Sequence, residues 1–209
     1  MTKPPHAYIL VQGRGGQGRD ILDAMQACAY NVAGVLDDSE PGTLVLGVPV
    51  LGPPARWREH ALPGVAFVLS HAQAERRSLA AEIRAAGGIV ASVIHPAATV
   101  SPHASIGEGA IILAGAVVAP DARIGPLTIL NGNCNIDHDC VLGEAVQFGP
   151  GVMLAGVVRV GDEAFIGVGA TVMPGLSIGA RAIVGAGSVV TRDVPEGVTV
   201  AGNPAKPRG

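Results

Sequence analysis

The sequence predicts an N-terminal α/β domain of Rossmann-like βαβ units on a parallel sheet, followed by a parallel β-helix of hexapeptide repeats. Three observations carry this. An aliphatic period of six runs from Ile94 to Val190, strand and helix signals alternate before it, and the composition is rich in glycine and poor in rings.

The 209 residues include 30 Gly and 16 Pro, with 3% aromatic, 48% hydrophobic and 15% charged residues and a net charge of −3. An average domain has about 7% Gly and about 25% charged residues. Mean hydropathy is +0.41. High hydropathy with little charge excludes a disordered chain, and the lack of rings calls for a core of small and β-branched side chains stacked regularly. A pI near 6.0 argues against nucleic acid as the main partner.

No membrane span is expected, since a spanning helix needs about 20 apolar residues. The run Gly109–Pro120 stops at Asp121, and Ala164–Ala180 is interrupted by glycines and Pro174. No secretory signal is visible, because two prolines follow Lys3 and Ile9–Val11 is too short for an h-region. Cys28, Cys134 and Cys140 make no disulfide or zinc framework. A cytoplasmic location is the expectation.

The first domain is read as residues 1–92. Tyr8–Val11, Val32–Leu36 and Val65–Leu69 read as strands, Gly18–Tyr30 and Gln73–Ala86 as helices, and Ile89–Val93 as the lead into the repeats. Strands alternating with helices indicate βαβ units. Between the first strand and helix lies Gly13-Arg14-Gly15-Gly16-Gln17-Gly18, with Asp37-Asp38 closing the second strand. That spacing passes the dinucleotide fingerprint. Its physics is more general: glycines let backbone N–H groups approach an anion at a helix N-terminus, and a carboxylate at the next strand end accepts hydrogen bonds from a ribose, base or sugar. NAD is disfavoured, because a β-helix leaves no room for a nicotinamide site of its own.

The second domain is read as residues 93–209. An aliphatic or Phe residue returns at all seventeen hexad positions from Ile94 to Val190 without a break, and a small or modest residue follows four places later, as at Ala110, Ala116, Cys134 and Cys140. A period of six fits neither a helix nor simple strand alternation. It is the signature of a parallel β-helix.

His138 has the best case for chemistry. It stands two places after Ile136, where other hexads put Pro102, Pro120, Pro126, Pro150 and Pro174. A place so rich in proline is an outer turn, so the imidazole projects outward between Asp137 and Asp139. A neutral imidazole there can act as a general base, and a nearby carboxylate can orient it. Cys134 and Cys140 fall on small inward places and read as packing.

The hexads, the run Asn135-Ile136-Asp137-His138-Asp139-Cys140 and the ending Ala201-Gly202-Asn203-Pro204-Ala205-Lys206 resemble the left-handed β-helix acyltransferases. That resemblance implies three hexads per turn, a left-handed coil and a prism about 25–30 Å tall at the usual strand spacing. With the glycine-rich turn, Val35-Leu36-Asp37-Asp38 and Gly47-Val48-Pro49-Val50-Leu51-Gly52, nearly the whole chain is similar to one subgroup. These are the nucleotide-sugar N-acetyltransferases of the bacillosamine-pathway type and their sialic acid O-acetyltransferase relatives.

The resemblance implies a nucleotide-linked amino sugar at Gly13, Gly15, Gly16, Gln17, Asp37 and Asp38, and His138 as base with Asp139 as its supporting acid. It implies acetyl-CoA in a groove between the prisms of a homotrimer, at Gln147, Val168 and Ala186, with no metal. Gly156, one coil above His138, leaves space for the thioester, and Lys206 and Arg192 are candidates for the CoA phosphates. Gln17 and Gln147 stand where relatives often have His, and Asp139 where they often have Glu. The implied reaction is acetyl transfer to the 4-amino group of a nucleotide-linked deoxy-amino sugar for a bacterial surface glycan. O-acetylation of a sialic-acid-like sugar is the alternative. A repeat-type carbonic anhydrase is disfavoured, because His95, His103 and His138 lack the close ligand pair such a site takes from one coil edge. A non-catalytic trimeric scaffold is the remaining reading.

Overall fold

The computed structural model describes residues 5–208 and forms two compact units, Met1–Pro96 and Ala97–Gly209. The first contains β1 (Ala7–Val11), α1 (Gly16–Ala27), β2 (Val32–Leu36), β3 (Leu44–Val45) and β4 (Val48–Gly52). A 3₁₀ helix (Pro54–His60), β5 (Val65–Leu69), α2 (Gln73–Ala85) and β6 (Ile89–Val90) complete it. The sheet order is β3-β4-β2-β1-β5-β6. β1 lies at the centre, parallel to both β2 and β5, and every residue of β5 is buried. Such continuous apolar strands are what a parallel sheet covered on both faces requires.

Beyond shifts of a residue or so at other element ends, three details differ from the sequence reading. α1 starts two residues earlier, at Gly16, because the glycine turn itself supplies the first helical residue. It ends at Ala27 in a Schellman motif, with Ala29 left-handed (φ 55°) and Tyr30 N–H bonded to Met25 O at 3.0 Å. Tyr30 therefore belongs to the cap and not to the helix. The Gly47–Gly52 run carries an unpredicted strand: β3 and β4 form an antiparallel hairpin whose two turn residues, Leu46 and Gly47, both have positive φ, the geometry of a tight hairpin loop.

The second unit is a left-handed parallel β-helix built from two-residue strands on three faces. Strands such as Ile129–Leu130, Gln147–Phe148 and Phe165–Ile166 stack on the first face. Asn135–Ile136, Met153–Leu154 and Thr171–Val172 stack on the second, and Arg123–Ile124, Val141–Leu142 and Arg159–Val160 on the third. Each residue pairs with the one eighteen places on, as Ile136 does with Leu154, so three hexads make one coil. The predicted corner aliphatics from Ile112 onward fill the interior with Ala110, Ala116, Cys134 and Cys140 between them. Val100 and Ile106 are only partly buried, as expected for a terminal coil with a neighbour on one side. At the start of the period Ile94 is exposed and Val93 takes the buried place.

Close stacking explains much of the glycine. A Cβ on Gly161 would stand 2.5 Å from the backbone nitrogen of Ala180 in the coil above, so the corner admits only glycine without a shift of backbone. At the C-terminal end Thr199–Ala201 pairs in parallel with the first-face strand Ile183–Val184. Lys206–Pro207 then turns back antiparallel against it and closes the ladder.

Candidate active site

In the first unit the glycine run divides by role. A Cβ on Gly13 would strike the Val35 side chain, and one on Gly18 would stand 2.5 Å from the Gly13 carbonyl carbon. These two glycines therefore let α1 sit tightly on β1 and β2. A Cβ on Gly15 or Gly16 would meet nothing within 4 Å, so these two present bare backbone to open space. Gly15 is the N-cap of α1 without a side-chain cap, and the first turn carries no acidic residue. Gln17 is half-buried in that same turn.

Asp37 is committed to the loop that follows β2. It accepts from the Arg14 N–H (3.0 Å), the Ser39 N–H (3.1 Å) and the Ser39 hydroxyl (2.6 Å). Burial pushes its pKa up, but the bonds from Ser39 and Arg14 outweigh that and hold it below the ordinary value. Asp38 is exposed and lines a cleft of about 590 Å³ with Gln12, Pro53, His71 and Glu75. This cleft, between the 3₁₀ helix and α2, was not foreseen. Only Asp38 in it carried a sequence signal.

In the second unit His138 projects from the edge between the second and third faces. Its side chain is 56% exposed, and Nδ1 lies 2.8 Å from Asp139 Oδ2. The His138 backbone N–H donates to Asp137 Oδ1 at 2.8 Å. Asp139 has φ 58°, a left-handed turn that brings its carboxylate back to the ring it follows. A carboxylate only accepts, so neutral His138 carries its proton on Nδ1 and leaves the Nε2 lone pair open. The hydrogen bond to Asp139, then the charge of Asp137, raise the imidazole pKa above its ordinary value. Gly156 lies on the same edge one coil later, and a Cβ there would stand 2.5 Å from Nε2.

The remaining predicted positions lie elsewhere on the prism. Val168 and Ala186, both exposed, stack eighteen residues apart on the edge between the first and second faces. Gln147 belongs to a first-face strand. One prism thus places none of these three on the His138 edge. Lys206 and Arg192 line one hollow of about 510 Å³ at the C-terminal end, with Asp193 and Pro204. Cys134 and Cys140 donate to the Gly149 and Ala155 carbonyls, each at 3.2 Å, and burial pushes the Cys134 thiol up to about 11. They are packing groups, as the sequence reading had them. No group of three or more His, Cys, Asp or Glu among the described residues is arranged to hold a metal, and no described helix is long and apolar enough to cross a membrane.

Comparison with known proteins matches this architecture in both halves. Residues 8–77 match the PglD N-terminal domain, and residues 157–192 the hexapeptide repeat of succinyl-transferase. GDP-perosamine N-acetyltransferase of Escherichia coli O157:H7 is 34% identical over 206 residues, 93% of each chain. A mutant of GDP-perosamine N-acetyltransferase from Caulobacter crescentus, in complex with CoA and GDP-perosamine, has a TM-score of 0.90 at 40% identity over 97% of each chain. The acetyltransferase domain of PglB from Neisseria gonorrhoeae FA1090, in complex with acetyl coenzyme A, has a TM-score of 0.92 at 34% identity, covering 98% of this chain and 100% of that one. With relatives 34% and 40% identical matched over 93% and 97% of both chains, the chain belongs to the hexapeptide-repeat, PglD-type family of sugar N-acyltransferases.

Proposed function

We propose that the protein transfers acetyl from acetyl-CoA to the 4-amino group of a nucleotide-linked deoxy-amino sugar, directly and with His138 as general base. The observation that carries this is the His138–Asp139 pair, with Nε2 open beside a glycine that keeps the space in front of it clear. The amine attacks the thioester carbonyl, Nε2 takes the proton from nitrogen, and CoA leaves as the thiolate, which takes up a proton. Asp139 holds the ring in the reactive tautomer and stabilises the imidazolium that forms. The Caulobacter relative, captured with CoA and GDP-perosamine as histidine-to-alanine and histidine-to-asparagine mutants, supports a histidine in this role and a GDP-linked sugar. Exposed Gly15 and Gly16 at an uncapped helix N-terminus supply the anion cradle that a sugar diphosphate needs.

A thiol-release assay with acetyl-CoA against GDP-, UDP- and dTDP-linked 4-amino sugars tests the reading. It expects transfer to at least one amino sugar and none to a sialic-acid-type hydroxyl. The pH profile follows from the raised pKa. A base must be neutral, so kcat/KM rises with pH through a value above the ordinary imidazole. Asp139→Asn removes the largest cause of the shift, so that limb moves to lower pH while the plateau falls. A limb that stays in place would remove Asp139 from the assignment.

We assign acetyl-CoA to a groove completed by a second prism, because His138 and the Val168–Ala186 edge are separated within one chain. The surface supports this. The second face and its two edges expose Met153, Val157, Val168 and Met173, whereas the third face carries Arg123 and Arg159. Light scattering after gel filtration is expected to give three times the 20.9 kDa chain mass. Glutamate at Met153 is expected to reduce that mass and turnover together. The free thiols of Cys28, Cys134 and Cys140 are in keeping with a cytoplasmic reaction.

A further inference from the structure

His71 is the one buried titratable side chain of the first unit's cleft that neither the anion cradle nor the acetyl-transfer step uses. It follows β5 at the carboxyl edge of the parallel sheet, across from Gln12 at the end of β1. β1 leads through α1 to one neighbour, β2, while β5 lies on its other side, so this edge is a topological switch point, where open α/β sheets bind ligands. His71 is 7% exposed, and its Nδ1 is buried without a hydrogen-bond partner among the described residues.

The loop around it is held fast. Arg76, itself fully buried, donates to the His71 carbonyl at 2.6 Å, and the Ser70 hydroxyl donates to the Gln12 carbonyl. The loop that carries the ring is therefore fixed, with His71 in the wall of the cleft. Burial lowers its pKa, although the carboxylates of Glu75 and Asp38 pull the other way. A neutral imidazole offers one donor and one acceptor. Pro53 and Leu79 supply apolar surface in the same cleft, and Asp38 and Glu75 are the carboxylates on its wall.

Resting on the nucleotide-sugar reading above, we propose that His71 and Glu75 read the nucleobase in this cleft and select guanine over uracil and thymine. The Watson–Crick edge of guanine presents two adjacent donors, N1–H and the N2 amino group, which match a carboxylate. Uracil and thymine present a single N–H between two carbonyls, so a carboxylate there faces an oxygen. The imidazole, which lines the cleft, supplies one further donor or acceptor to the base. Discrimination comes from leaving polar groups unpaired with the wrong ligand, the mechanism that gives sites built on hydrogen bonds their selectivity.

Isothermal titration of the full chain with GDP, UDP and dTDP, without acetyl-CoA, tests this. Wild type is expected to bind GDP at least tenfold more tightly than the other two. His71→Ala should lose about tenfold for GDP and less than twofold for UDP. Glu75→Gln, an exposed change that leaves folding intact, should shrink the GDP/UDP ratio by a similar factor. Equal binding of the three nucleotides, binding of none, or variants that weaken all alike would overturn the proposal. Selective GDP binding that these variants abolish, in a protein that acetylates no amino sugar, would uphold it while removing the acetyl-transfer reading.

Discussion

His138→Ala is expected to lower kcat by about 10²–10⁴-fold, the contribution of a positioned general base. The imidazole is 56% exposed and outside the interior cluster, so its loss should leave the melting temperature within error. The KM for acetyl-CoA should move little, because proton removal occurs as the amine attacks and not on binding. Steady-state kinetics by thiol release, beside circular dichroism, separates these effects. A variant that turns over at the wild-type rate would refute the base assignment. One that unfolds would show that the corner needs the ring for structure.

The largest effect on stability is expected at Phe148. Among the described residues it is the single ring in the prism interior, fully buried, with Leu130 below it and Ile166 above it on the first face. Phe148→Ala should cost about 3–5 kcal/mol, the range for truncating a buried ring to alanine. Collapse of the cavity is opposed by the ladder: neighbouring coils are bonded through the Gln147 N–H to Ala164 O (3.0 Å) and the Gly149 N–H to Ile166 O (2.7 Å). Urea unfolding measures the change as a lower midpoint. A loss below about 1 kcal/mol, the scale of a single buried methylene, would mean that the coils close up after all.

The prism was legible almost residue by residue because its period and its geometry are the same fact. An inward corner that recurs every sixth residue has no alternative register once seventeen positions agree. The α/β unit was less legible. β2 and β5 kept their predicted bounds, but β3 and β4 were missed, since one has only two residues and the other contains Pro49, which lacks an N–H and reads as a break. His138 was legible from a turn position that elsewhere holds proline. The placement of Asp139 against its ring was not, because it depends on a left-handed backbone at a residue that is not glycine. His71 gave no signal, since its isolation from partners exists only once β1, β5 and α2 have packed.

Change of length in this chain is quantised in two units of different meaning. Eighteen residues add one layer and leave every later side chain on its own edge, as the pairing of Ile136 with Leu154 requires. Six residues inserted after Phe148 would keep every interior position aliphatic and turn all later coils by one face. Val168 and Ala186 would then move onto the edge that carries His138, while Gly156 would leave it. Hydrophobic patterning has no defence against such a change, because the core is indifferent to which face it supports. The site and the apolar surface around the second face distinguish the three edges, so these, and not the packing of the core, hold the coils in phase.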